Sequence, residues 1–379
     1  MPNAVASDER IVNACSTLFV AYNYSSDSTL ALDSNLPDAI LSRIASWGLG
    51  YENEEKHVFM TQFSAAVPDL MFRSHPFEVK VHIGTWIWLS YTIEFDTASI
   101  GQAAISQFQR LFVAQKPQQH PLLDRYAAIL ANTYDFSWDQ LASDCIITSS
   151  MQLIWTCVLE PKPIYRAMPS LSGGHLWPAT IRSRNGLGEA LSFMTFLPPK
   201  EIAHNEKDFV TYLQAIPQIQ IFLNFTNDIL RFKSEEVTKE HQNYVRERSA
   251  HHPDQNLADT LDEMVLEAAA AVQAVDDLLK GAGWIEDRWK DLRQGFVAMH
   301  RWNKAPYMRD AMGLSEEIAY KQVMDRRNRR SRFVFEFICV VSTTLRTGAR
   351  AGGTDEIDPA LDVCSITYLD HIVYVKLVD

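Results

Sequence analysis

Asn227, Arg231 and Glu235 stand four and four residues apart within Asn224-Phe225-Thr226-Asn227-Asp228-Ile229-Leu230-Arg231-Phe232-Lys233-Ser234-Glu235-Glu236. On an α-helix this spacing makes one polar stripe about two turns long, with Thr226 near its upstream end. Ile219, Phe222 and Leu223 before it are apolar, so the stripe emerges from a buried helix. An amide oxygen and a carboxylate eight residues apart can serve one hard cation of the Mg²⁺ type when a bound phosphate supplies further oxygens. A guanidinium cannot ligate that cation, but it can give a phosphate a bidentate pair. The same stripe also reads as a solvated helix face, and spacing alone leaves both readings open.

The elements that would position these residues are helical nearly throughout. Apolar residues recur at three and four over 39–49 and 77–88, with a break expected between Pro68 and Pro76. A long helical stretch, one helix or two, follows to residue 112, and Trp88, Leu89, Thr92, Phe95 and Asp96 share one broad face of it. Segment 115–121 is a polar loop, and 122–130 and 138–159 are helical again. Prolines 161, 163, 169 and 178 with Gly173-Gly174 form a connection. Helix resumes at Thr180, is interrupted at Gly186-Leu187-Gly188, and ends at Pro198-Pro199. Segments 209–241, 257–279 and 284–302 complete the helical part, with a loop at His251-His252. After the basic run 326–330 the chain turns β-branched and aromatic, and 364–378 alternates like a short strand or an irregular final segment. The expectation is an all-α bundle of about a dozen helices. Its bounds are one helical domain over 1–325 and a C-terminal extension over 326–379 packed on it.

Bulk properties narrow the class. Gly and Pro together number 15 plus 16 in 379 residues, too thin for a fold of many hairpins or βα loops. The formal charge of −12 argues against nucleic acid and anionic membranes as general partners, without forbidding one small anion where cations gather. Five scattered cysteines, none spaced C-x-x-C, read as buried thiols in a reducing compartment. The first residues carry acids before any apolar stretch and the longest apolar runs are nine residues, so a cytoplasmic protein without membrane insertion is expected. Glycine-rich nucleotide loops, G-x-S-x-G and H-E-x-x-H are all missing, which leaves nucleotide chemistry and serine hydrolysis without support.

The 227–235 window resembles the second metal-binding motif of class I terpene cyclases, an Asn-Asp pair followed by a hydroxyl residue four on and Glu eight on. Fungal sesquiterpene cyclases of the trichodiene synthase type are the nearest resemblance. Ile181-Arg182-Ser183-Arg184-Asn185-Gly186-Leu187-Gly188 is similar to the segment in which an arginine senses diphosphate before a helix break, and Arg182 precedes Asn227 by 45 residues, as in that family. The likeness spans about residues 60–307 and includes Trp177-Pro178 and Asn243-Tyr244-Val245. It implies a single-domain class I terpenoid synthase bundle enclosing an apolar cavity. It also implies Asp96, Asn227 and Glu235 as Mg²⁺ ligands and Arg182, Arg231, Lys304 and Tyr307 as diphosphate-gripping groups.

This chain departs from the pattern at three places. The aspartate-rich motif keeps Asp96 but lacks the later acids; Arg231 replaces the metal-binding hydroxyl; Lys304 and Tyr307 stand in for an Arg-Tyr pair. Arg231 then either grips phosphate in place of one metal or pairs with Glu235, Glu94 or Asp96. Trp88 and Thr92 from one wall, Leu187 from the break, and Leu223 and Asn224 above Asn227 are the candidate substrate-facing residues, each equally placed for core packing. The resemblance implies a lyase that ionises farnesyl diphosphate with Mg²⁺ to a cyclic hydrocarbon; a simple closure without heavy rearrangement, to a humulene- or caryophyllene-type product, is a conjecture beyond it. A prenyltransferase and an inactive helical binding or scaffold protein are the alternatives, and a homodimer is compatible with the family.

Overall fold

A computed structural model describes residues 8–25, 32–50, 55–136, 138–166, 168–169, 171–185, 187–199, 202, 205–238, 243–252, 256–302, 365–369 and 372–376. The chain opens with α1 (Asp8–Ala21), α2 (Asn35–Ala45), α3 (Glu55–Met71), α4 (Phe77–Phe95), α5 (Thr97–Ile100) and α6 (Gln102–Val113). There follow α7 (Pro121–Ala131), α8 (Gln140–Leu159), α9 (Pro163–Arg166), α10 (Trp177–Asn185) and α11 (Gly188–Thr195). The helical part closes with α12 (Glu206–Leu213), α13 (Ile216–Thr238), α14 (Tyr244–Ala250), α15 (Leu257–Leu279) and α16 (Trp284–Trp302). Two terminal strands, β1 (Ser365–Leu369) and β2 (Ile372–Lys376), pair antiparallel with Leu369 opposite Ile372. The all-α reading holds, with more and shorter helices than a dozen.

Several helix starts are written locally. Asn243 and Asn256 in extended conformation accept from the N–H groups of Arg246 and of Ala258 and Asp259, and Asp139 accepts from Leu141 N–H. Gly101, at φ 86°, turns the chain from α5 into α6, so the expected long stretch to residue 112 is three helices.

α4 is the central rod, buried from Val79 to Ile93 at thirteen positions around its circumference. It packs on α2, α3, α7 and α8, and α13 packs on α15, α11 and α1. Trp86 donates from its indole Nε1 to Ser150 Oγ of α8 at 3.0 Å, which satisfies a polar atom that burial would otherwise strand. Phe222 of α13 is boxed edge-on by Tyr22, Trp289 and Phe296, and the Tyr22 hydroxyl lies 2.7 Å from Thr226 Oγ1. These contacts fix the rotation of α13 about its own axis, and with it the direction of its polar stripe.

The expected break between Pro68 and Pro76 falls at residues 72–76, between α3 and α4, and Pro68 lies within the last turn of α3. A proline so near a helix end gives up one hydrogen bond, the one its missing N–H would have donated to the Ser64 carbonyl. α4 exploits that spot: Gly84 approaches so closely that a Cβ there would stand 2.8 Å from Ser64 O. Gln140–Leu159 is the one described helix long and apolar enough to cross a membrane, and over half of that stretch is buried in the bundle. Cys15 and Cys157 are buried and Cys145 is half-buried, while Cys339 and Cys364 lie outside the described residues.

Candidate functional site

α10 ends in the basic turn Arg182-Ser183-Arg184-Asn185, and α11 starts three residues later behind Leu187, whose φ of 53° is left-handed. A branched side chain in that region is uncommon and strained by about 1 kcal/mol or more, so packing must hold it there. Leu187 is buried, and Gly188 lies so close to α13 that a Cβ on it would meet Asn224 Oδ1 at 2.9 Å. The break between α10 and α11 is therefore pressed against the helix that carries the polar stripe.

Arg182 bridges the two. Its Nε donates to Asp228 Oδ2 at 2.7 Å, Nη1 to Asn185 Oδ1 at 3.1 Å, and Nη2 to the Asn224 carbonyl at 3.3 Å. Asn185 in turn donates from Nδ2 to Glu160 Oε1 at 3.0 Å, at the end of α8. Asp228 also accepts from Asn227 Nδ2 at 3.2 Å. The side chains of Arg182 and Asp228 are only 13% and 7% exposed, so each charge depends on its partner for solvation.

Acidic groups crowd this arginine. Burial first, then Glu160 and Asp228, pushes the Glu247 carboxyl of α14 up to about 7. Burial, with Glu247 and Glu160, likewise raises the Tyr165 phenol above its ordinary value. Since Glu247 is easier to protonate folded than unfolded, its ionisation opposes folding. Stability drains away as pH climbs from about 4.5 to about 7 and stays lost above that. Glu247→Gln should abolish that slope. Urea denaturation is expected to show the variant more stable by on the order of 2 kcal/mol at about pH 8 and level with the parent near pH 4. A parent advantage at the alkaline end would contradict the burial argument.

The end of α4 faces the same place. Tyr91 is pushed up to about 12 by burial and by Glu94, against the opposing charges of Arg231 and Arg182. Its ring stacks on Phe95 and meets Phe63 edge-on. Asp96 follows directly, half-buried, its N–H bonded to the Thr92 carbonyl as α4 stops and α5 begins.

The structure thus brings Arg182, Asn224 and Asn227 into one cluster, with Leu187 and Leu223 buried beside it on α11's leading edge and on α13. Arg231, half-buried on α13, and Arg182 both act on Tyr91. The Trp88 ring packs on Trp47 and His57, and the Thr92 hydroxyl donates back to the Trp88 carbonyl at 2.7 Å. The side chain of Glu235, and Lys304 and Tyr307 altogether, lie outside the described residues.

Asp228 is the residue that sequence reasoning passed over. The signal was an acid off the i, i+4 stripe, beside Phe225, Ile229, Leu230 and Phe232, where burial demands a cation; that cation comes from 46 residues earlier.

Around this cluster the helices take the class I terpene synthase fold, and the solved structure of hedycaryol synthase in complex with HEPES shares it. It matches at TM-score 0.53 and 14% identity over 72% of this chain and 94% of that one. The profile of the Trichodiene synthase (TRI5) family matches residues 57–316, and the chain belongs to that family. Terpene synthase BipA of Cochliobolus sativus is 27% identical over 267 residues, covering 70% of this chain and 79% of its own. Longiborneol synthase CLM1 of Gibberella zeae is 27% identical over 230 residues, 60% of this chain and 65% of its own. The protein is a class I terpene cyclase, a carbon–oxygen lyase acting on phosphates.

Proposed function

We propose that the protein ionises farnesyl diphosphate and closes the resulting allylic cation to a cyclic hydrocarbon, releasing diphosphate. The observation that carries this reading is Arg182, a half-buried guanidinium held at a helix break beside Asn227 and sharing its surroundings with Arg231 through Tyr91. Most of the barrier to such heterolysis is the separation of a highly charged leaving group from a carbocation, and preorganised cations lower it. A neutral aromatic and aliphatic interior then offers the cation no nucleophile.

Asp96 and Asn227 present carboxylate and amide oxygens, the hard donors that Mg²⁺ takes, and Glu235 would add a second carboxylate. When bound, the ion supplies positive charge that stabilises the departing diphosphate. Arg231 stands one turn beyond Asn227 and serves the same end as a fixed cation, replacing the hydroxyl that relatives of this type carry there. Lys304 and Tyr307 are assigned to the diphosphate by resemblance to the family's Arg-Tyr pair. A humulene-type hydrocarbon is the product expected from the simplest closure.

Incubation of the purified protein with farnesyl diphosphate, with and without MgCl₂, followed by mass spectrometry of the volatiles, tests this. A cyclic C15 hydrocarbon formed only with the metal is the expected result. Diphosphate release that requires an added isoprenoid or aromatic acceptor would replace the cyclase reading with a transferase. No turnover of any prenyl diphosphate would leave a helical binding protein.

A further inference from the structure

The carboxylate of Asp228 has two oxygens and two donors of different function: Oδ2 takes Arg182 Nε at 2.7 Å and Oδ1 takes Asn227 Nδ2 at 3.2 Å. A carboxylate accepts hydrogen bonds and cannot donate them, so only the NH₂ end of the Asn227 amide can face it. The Asn227 carbonyl oxygen is thereby turned the other way. On the arginine side, contact at Nε with an acid fixes the guanidinium plane, and Asn185 and the Asn224 carbonyl close two further sides. Asp228 itself is 5% exposed. We propose that Asp228 is a positioning residue that aims two groups at once, the diphosphate-facing guanidinium of Arg182 and the amide oxygen of Asn227, without itself touching substrate or metal.

The inference rests on the cyclase reading above and assigns a function to the second member of the Asn-Asp pair. Its energetic logic is that of a buried support. Two flexible side chains, one on α10 and one on α13, would each sample several rotamers in a loose site, and one shared acceptor removes that freedom before substrate arrives. An ion pair that merely fastened α10 to α13 would need no second bond to Asn227.

Asp228→Asn tests it, because asparagine keeps an acceptor for Arg182 but puts its own NH₂ where Asn227 needs an oxygen. In the full-length variant kcat on farnesyl diphosphate should fall by about tenfold to a hundredfold with KM changed by less than about threefold. Inorganic diphosphate, titrated calorimetrically with MgCl₂ present, should bind about tenfold more weakly. Asp228→Glu, which keeps the charge but displaces it, provides the same readouts should the asparagine variant fail to fold, and is expected to lose kcat in the same sense. Folded variants with wild-type kcat and wild-type diphosphate affinity, changed only in melting temperature, would reduce Asp228 to a structural ion pair. Wild-type protein that neither turns over farnesyl diphosphate nor binds inorganic diphosphate would bring down the cyclase reading first, and this role with it.

Discussion

Arg182→Ala is expected to lower kcat/KM for farnesyl diphosphate by about a thousandfold, more of it in kcat than in KM. A preorganised donor aimed at developing negative charge is worth roughly two to three powers of ten in rate when removed. Arg182 supplies both charge and directed N–H groups, held from three sides by Asp228, Asn185 and the Asn224 carbonyl. The truncation has a second consequence, because Asp228 loses its partner while 5% exposed and already shares the region with Glu160 and Glu247. A buried carboxylate left with only the Asn227 amide as donor costs about 3–5 kcal/mol. The melting temperature should therefore fall. Arg182→Lys keeps the charge without the planar fork, and should recover stability better than activity. Steady-state kinetics and thermal melts measure all of this; an alanine variant within about fivefold of wild-type turnover would remove Arg182 from the reaction.

Helices with uninterrupted period and a clean cap were legible from sequence: 257–279 and 284–302 were read to their observed ends. Residues 209–241 read as one segment, yet the chain turns at Gln214 and Ala215. Pro217 then sits in the first turn of α13, where its missing N–H costs nothing. The break expected between Pro68 and Pro76 is there as well, over residues 72–76, with Pro68 itself in the last turn of α3.

The same distinction divides the site. Arg182 and Asn227 were visible as motif residues, spaced along one chain. Asp228 was not, because its meaning lies in a partner on another helix. Trp88 and Thr92 were placed on a substrate-facing wall by projecting a stripe along α4. That helix is buried around its circumference from Val79 to Ile93, so its sequence carries no polar face to orient the projection; the Trp88 ring packs against Trp47 and His57.

Gly295→Ala is the sharpest test of the packing that holds the site's scaffold. On helix propensity alone, alanine should stabilise α16 by about 1 kcal/mol. The structure predicts the opposite sign. Gly295 lies against the last turn of α3, and a Cβ there would collide with the carbonyl group of Leu70 and stand 2.7 Å from Met71 Cα. These are backbone atoms, so no rotamer change can make room. The two helices must separate, and Leu70, Met71, Phe296 and Met299, all buried near this crossing, lose contact together. The far side of α3 is equally committed, because Gly84 of α4 is in contact with the Ser64 carbonyl. α3 therefore cannot retreat from α16 without driving into α4. Destabilisation of about 4 kcal/mol or more follows, at the extreme of single substitutions, with a melting temperature lower by roughly 8 °C. Thermal denaturation decides between the two signs: an alanine variant that melts at or above the parent would mean that α3 and α16 are farther apart than the structure has them.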